Sequence, residues 1–203
     1  AMEEKAGAEA GLVPSGHRVV SLRLRSQFDE SSWISEAMGG ISYLFFLRRL
    51  LPQIRDDWPS VLARLEDLRK LLINRTNMLC NVTMPESNRG SFDPQLSELI
   101  GAMPNSTPVR QEWTPDLQRR SEGLTVPAQV NYVGKGICLF DYGYQLQAST
   151  TVISRYLSTS WLWDRIRVQG GAYGAFCMFD PFTGVLAFVS YREPVRESCR
   201  AGV

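Results

Sequence analysis

The sequence has a single histidine, His17, and that scarcity excludes more than any other property. A zinc hydrolase of the H-x-x-E-H kind needs two imidazoles from one helix and a carboxylate ligand. A serine or cysteine hydrolase usually needs one histidine as base. His17 stands in a Gly-His-Arg stretch with no nucleophile motif around it, so it reads as a solvated or helix-start residue. Cysteine is sparse too. Cys80, Cys138, Cys177 and Cys199 form no C-x-x-C pair, which argues against structural zinc. The apolar neighbours of the first three predict buried, reduced thiols. An excess of one charge is missing: 22 basic and 21 acidic residues leave a net charge of +1. Strong binding to a phosphate backbone needs concentrated positive charge, so no nucleic-acid partner is expected. No long hydrophobic run is present. The longest candidate, residues 41–51, is short and carries Arg48 and Arg49, so no membrane span is expected. Residues 1–10 are small, acidic and lysine-bearing, without the apolar core of a signal peptide, and a removed targeting peptide would leave no trace. Ala1-Met2 reads as an expression scar. The sequons at Asn74, Asn81 and Asn105 therefore read as coincidence.

What is present is ordinary globular material, 44% hydrophobic and 21% charged. Residues 1–16, rich in Ala, Gly and Glu, read as a flexible leader. Apolar residues at Val19, Leu22, Phe28 and Trp33 predict one helix over 17–38, broken by Gly39-Gly40. A second helix over 41–54 carries an apolar stripe of Tyr43, Leu44, Leu47, Leu50 and Leu51, with Pro52 a candidate kink. Asp56-Asp57-Trp58-Pro59 marks a helix start, and Val61, Leu65, Leu68 and Leu72 give the cleanest helical spacing in the chain. Residues 78–84 form a strand candidate, and Asp93-Pro94 starts a helix ending near Gly101. Residues 104–127 hold Pro104, Pro108, Pro115 and Pro127 and read as a connector. Beyond it, 128–133 alternates as a strand, 149–163 reads as a helix capped by Ser149 or Thr150, and 172–179 and 185–191 flank a Pro- and Gly-bearing turn as a hairpin. Trp161 and Trp163, two apart, cannot share one helical face, and at least one is assigned to core or inter-unit packing. The resulting layout is a leader (1–16), a helical-rich part (17–103), a connector (104–127) and a second unit (128–203).

Three stretches carry a family pattern: 33–43, with Trp33, Glu36, Gly39-Gly40 and Tyr43; 126–135, with Val126-Pro127-Ala128-Gln129-Val130-Asn131-Tyr132; and Trp161-Leu162-Trp163-Asp164-Arg165-Ile166-Arg167-Val168-Gln169-Gly170-Gly171-Ala172-Tyr173-Gly174. With Ser190-Tyr191-Arg192 they resemble, in order and spacing, the presequence protease branch of the pitrilysin/insulysin zinc metallopeptidases, over about residues 20 to 194. The resemblance implies an α/β (α+β) fold, part of a pitrilysin-like half in which helices pack on a mixed or antiparallel sheet. Such an enzyme resembles a clamshell. One half carries the zinc, and the other closes over the peptide with an arginine and a tyrosine, which fall by motif on Arg167 and Tyr173.

Both groups donate hydrogen bonds to a substrate carbonyl or a developing oxyanion, which explains such a pair chemically. The main chain at Gly170, Gly171, Ala172 and Gly174 is expected to let a peptide approach closely and pair with a strand edge. Read without the resemblance, the same residues are a turn, a strand aromatic and a helix-end cation. The resemblance implies unstructured peptides as substrates, a location in the mitochondrial matrix or chloroplast stroma, and zinc in the other half, with no cofactor in this chain. Residues 197–203 do not resemble the family's continuation, so the last unit is expected to be truncated and covered by a zinc-bearing half or by self-association. The alternative is a noncatalytic peptide-binding or regulatory module from the same family. Unaided, the chain is expected to be inactive.

Overall fold

The computed structural model describes residues 1–107 and 112–194. Cys199 and the 197–203 stretch lie outside the described residues, as does Pro108 of the expected connector. The chain forms two compact units: residues 1–51 with 114–203, and residues 52–113. It is mixed helix and antiparallel sheet, as the α+β expectation requires.

In the first unit, residues 2–12 are helical (α1, Met2–Leu12) where a flexible leader is expected; none of α1 is buried. Its Glu9 pairs with Arg48 at 2.8 Å. The single helix expected over 17–38 is two, α2 (Gly16–Arg25) and α3 (Glu30–Gly39). The break follows from Asp29, an N-cap whose carboxylate accepts from Ser32 N at 2.8 Å and starts a new helix. Next, α4 (Ile41–Asp56) runs through Pro52 and buries Ile41, Leu44 and Leu47.

Five strands complete this unit: β1 (Val130–Asn131), β2 (Gly134–Cys138), β3 (Gly174–Phe179), β4 (Val185–Tyr191) and β5 (Glu193–Pro194). β1 pairs with β5, and β2-β4-β3 form an antiparallel sheet with β4 central. The 172–191 hairpin is present as expected, with Phe176 opposite Val189 and Phe179 opposite Leu186. Val185, Ala187 and Val189 of β4 are the core, each at most 2% exposed. α2 lies on the face that Gly134 and Gly136 leave flat; a Cβ at Gly134 would meet Val20 at 2.5 Å. Helix α7 (Ser149–Tyr156) packs along β3 and continues to Val168 in wider, π-helical turns. Its N-cap is Ala148, without a side-chain cap, because Thr150 Oγ1 bonds the Tyr144 hydroxyl instead. At Cys177 the Ser158 hydroxyl accepts from the backbone N–H (2.8 Å) and donates to the carbonyl (3.2 Å).

The second unit is helical among its described residues: the last turns of α4, then α5 (Trp58–Leu72) and α6 (Arg89–Gly101). α5 starts as the sequence indicates, on Asp57, which accepts from Ser60 N. Of its apolar stripe only Val61 is buried; Leu65, Leu68 and Leu72 are exposed. The strand expected over 78–84 does not form, since the unit holds no other strand among its described residues for it to pair with. Cys80, expected to be buried on that strand, is exposed, whereas Cys138 and Cys177 are buried. Asn74 has no exposed surface; it donates to Ser106 O and Oγ and accepts from Thr76. This first sequon is thus a buried tie between 74–76 and 104–106. No helix among the described residues is long and apolar enough to cross a membrane.

Candidate functional site

The helix from α7 ends unusually, and its end builds the site. Its last turns are one residue wider than α-helical, shown by Gln169 N–H donating to Asp164 O at 2.9 Å. Gly171 stops it in the left-handed region, φ +79°. Gly171 N–H returns to Arg167 O (2.9 Å) and Ala172 N–H to Ile166 O (3.1 Å). This is the pattern of a glycine-terminated helix with each loop widened by one residue. Gly170 is constrained from the other side, because a Cβ there would lie 2.3 Å from Ile166 O. Both glycines are therefore required by the helix end itself. Ala172 and Gly174 are buried, so the open surface of this tract is Gly171 and Tyr173.

The wide stop brings Arg167 and Tyr173 together. Arg167 Nη1 donates to Tyr173 O at 2.9 Å, and Tyr173 N–H donates to Tyr191 O at 2.9 Å, which ties the loop to the end of β4. Both side chains are exposed, Tyr173 at 64%. Among the described residues, the Tyr173 hydroxyl and the remaining N–H groups of Arg167 make no further hydrogen bond. The outer edge of β3 is already taken at Cys177 by Ser158, so strand pairing by a peptide has room only nearer Gly174.

Sequence reasoning missed three neighbours. The Trp163 ring lies under the Arg167 guanidinium, 4.1 Å from centroid to Cζ. Their four-residue spacing is the signal that could have found it. The core position assigned to one of the tryptophans belongs to Leu162, 5% exposed, while Trp161 and Trp163 are both exposed. Arg192 places its guanidinium 5.8 Å from the Tyr173 ring, at φ +52°, a conformation uncommon for a residue with a side chain. His17 is at the helix start, as expected, but it is not solvated. Its ring packs edge-on against Tyr191 at 4.6 Å and near Phe176, and burial, aided by Arg18, holds its pKa below the ordinary value.

The zinc that the resemblance implies for this enzyme class does not fit these residues. The one histidine is packed against Tyr191, and among the described residues no three His, Cys, Asp or Glu side chains are grouped to hold a metal.

Two family models match the chain: the PreP C-terminal domain over residues 121–201, and a peptidase-associated region of the same metallopeptidase group over residues 2–50. The chain is 37% identical over 193 residues to presequence protease 1, chloroplastic/mitochondrial, of Arabidopsis thaliana, covering 95% of the chain and 18% of that protein. It is 29% identical to Protein HypA of Clostridium perfringens, over 95% of the chain and 19% of the relative. To the mitochondrial presequence protease of Saccharomyces cerevisiae it is 22% identical, over 91% and 20%. The chain thus spans about a fifth of the length of these curated relatives.

Proposed function

We propose, from the premise that this chain belongs to the presequence protease family and corresponds to part of its C-terminal region, that it holds unstructured peptides for cleavage by a zinc-bearing half. The observation that carries the reading is the pairing of Arg167 with Tyr173. Two exposed donors of different kind stand one hydrogen bond apart, on a helix stop fixed by Gly171.

Peptide hydrolysis concentrates negative charge on the scissile carbonyl oxygen. A guanidinium and a phenol that are already oriented stabilise that charge without reorganising during the reaction. Arg167 spends one N–H on Tyr173 O, and its other donors serve acceptors from the substrate. Both donors address the main chain, which every peptide has, so selection would rest on lack of structure more than on side-chain identity. The printed locations of the relatives support the mitochondrial matrix or chloroplast stroma as the place of action.

The test is reconstitution. The chain is mixed with a zinc-bearing half from a relative, and cleavage of an unstructured basic peptide is followed. Restored cleavage that falls about 10²–10³-fold in Arg167→Ala and Tyr173→Phe supports the proposal, the loss typical of removing one oxyanion donor. Peptide binding without restored cleavage favours a noncatalytic module. Chelator-sensitive hydrolysis by the chain alone refutes the division of labour.

A further inference from the structure

We infer that Trp163 is a positioning residue for Arg167 and, through it, sets how tightly peptide is gripped; this rests on the peptide-holding reading above. An exposed arginine ordinarily samples many rotamers. Arg167 is held by two contacts of different direction. The Trp163 indole supports the face of the guanidinium at 4.1 Å, and the Tyr173 carbonyl takes one edge at 2.9 Å. A face and an edge together define the plane in which the remaining N–H groups point.

The choice of an aromatic support matters chemically. A carboxylate partner would occupy the same N–H donors that a peptide carbonyl needs. An indole face attracts the cation through its quadrupole and uses none of them. No Asp or Glu pairs with Arg167 among the described residues, although Asp164 lies one turn away; its carbonyl is engaged by Gln169 N–H. The support is firm because Leu162, between the two tryptophans, is buried and Gly171 fixes the helix end. Trp161 provides an internal comparison. It is exposed on the same helix and makes no cation contact among the described residues.

The experiment uses the whole 203-residue chain and a fluorescein-labelled unstructured basic peptide, with affinity read by anisotropy and folding checked by thermal melts. Trp163→Leu is expected to weaken binding about two- to five-fold, the range of an exposed cation–π contact, and Trp163→Phe to retain most of the affinity. Trp161→Leu is expected to bind as the parent does. In the Arg167→Ala background, Trp163→Leu is expected to cost nothing more. NMR of arginine-labelled protein gives an independent readout: ring current shifts the Arg167 side-chain protons upfield, and Trp163→Leu, but not Trp161→Leu, removes the shift. A Trp163→Leu loss of equal size with and without Arg167, or Arg167 resonances that ignore the indole, overturns the inference alone. An Arg167→Ala variant that binds peptide normally overturns the peptide-holding reading and this inference together.

Discussion

Replacing Glu36 tests the scaffold where its charge is most deeply buried. Glu36 is 3% exposed and joins three helices. From α3, one carboxylate oxygen accepts from Ser42 N–H at 3.0 Å, near the start of α4, and the other lies 3.2 Å from Arg23 of α2. Arg23 also grips Glu122 at 2.7 Å, so removing Glu36 does not leave the guanidinium unpaired. Glu36→Ala loses a cap-type bond of about 1 kcal/mol, part of an ion pair of up to about 1 kcal/mol, and buried methylene contact of about 1 kcal/mol. The expected destabilisation is about 2–4 kcal/mol. Glu36→Gln keeps the shape and an acceptor for Ser42, and should cost about 1 kcal/mol.

Because the chain has two compact units, a global melt can mix transitions. Amide exchange in β4, the core of this unit, reports its own opening. Protection there should fall about 30- to 1,000-fold in Glu36→Ala and roughly five-fold in Glu36→Gln, at 1.4 kcal/mol per tenfold. Protection within two-fold of the parent in Glu36→Ala, or equal losses in both variants, would show that the buried carboxylate is not what joins these helices.

The neighbouring glycines should separate sharply. A Cβ at Gly40 would sit 2.8 Å from Glu36 Cγ and O, while one at Gly39 meets nothing within 4 Å. Gly40→Ala should destabilise by about 1–3 kcal/mol and Gly39→Ala should be neutral or stabilising by up to about 1 kcal/mol, both read by the same exchange assay. His17 should impart a pH dependence. Its folded pKa lies below the ordinary 6.5, so between those values the unfolded chain binds more protons. Its contribution to stability is complete above 6.5 and is lost as pH falls through that window. Melting temperatures followed downward from neutral pH should drop less in His17→Gln than in the parent; identical slopes would contradict the burial argument.

Much of the fold was legible where local chemistry states its own boundary. Asp57 with Pro59 announces α5, and Asp180-Pro181 with Gly184 announces the β3–β4 hairpin. The α2–α3 break was written in Asp29 and Ser32 but hidden by the apolar residues on either side. α1 gives no apolar stripe to read, because Ala, Glu and Gly fill it and none is buried. The helix end past Trp163 was misread as a turn, since a π turn shifts the face of every later residue by one position and defeats 3.6-residue counting. The same shift hid which of residues 161–163 enters the core. The grouping of 1–51 with 114–203 depends on contacts such as Arg23 with Glu122 and β1 with β5, between residues far apart in sequence. At the candidate site, Arg167 and Tyr173 were reachable through the family pattern, whereas Trp163 and Arg192 needed the geometry.

The Ser158 hydroxyl at Cys177 has one further consequence. A β-edge recruits a neighbour by offering a donor and an acceptor side by side, and a single oxygen that both gives and takes a proton answers both offers at once. At that point the sheet is finished by a side chain, so lateral growth there, whether by a stray peptide or by another copy of the chain, would first have to pry a helix away.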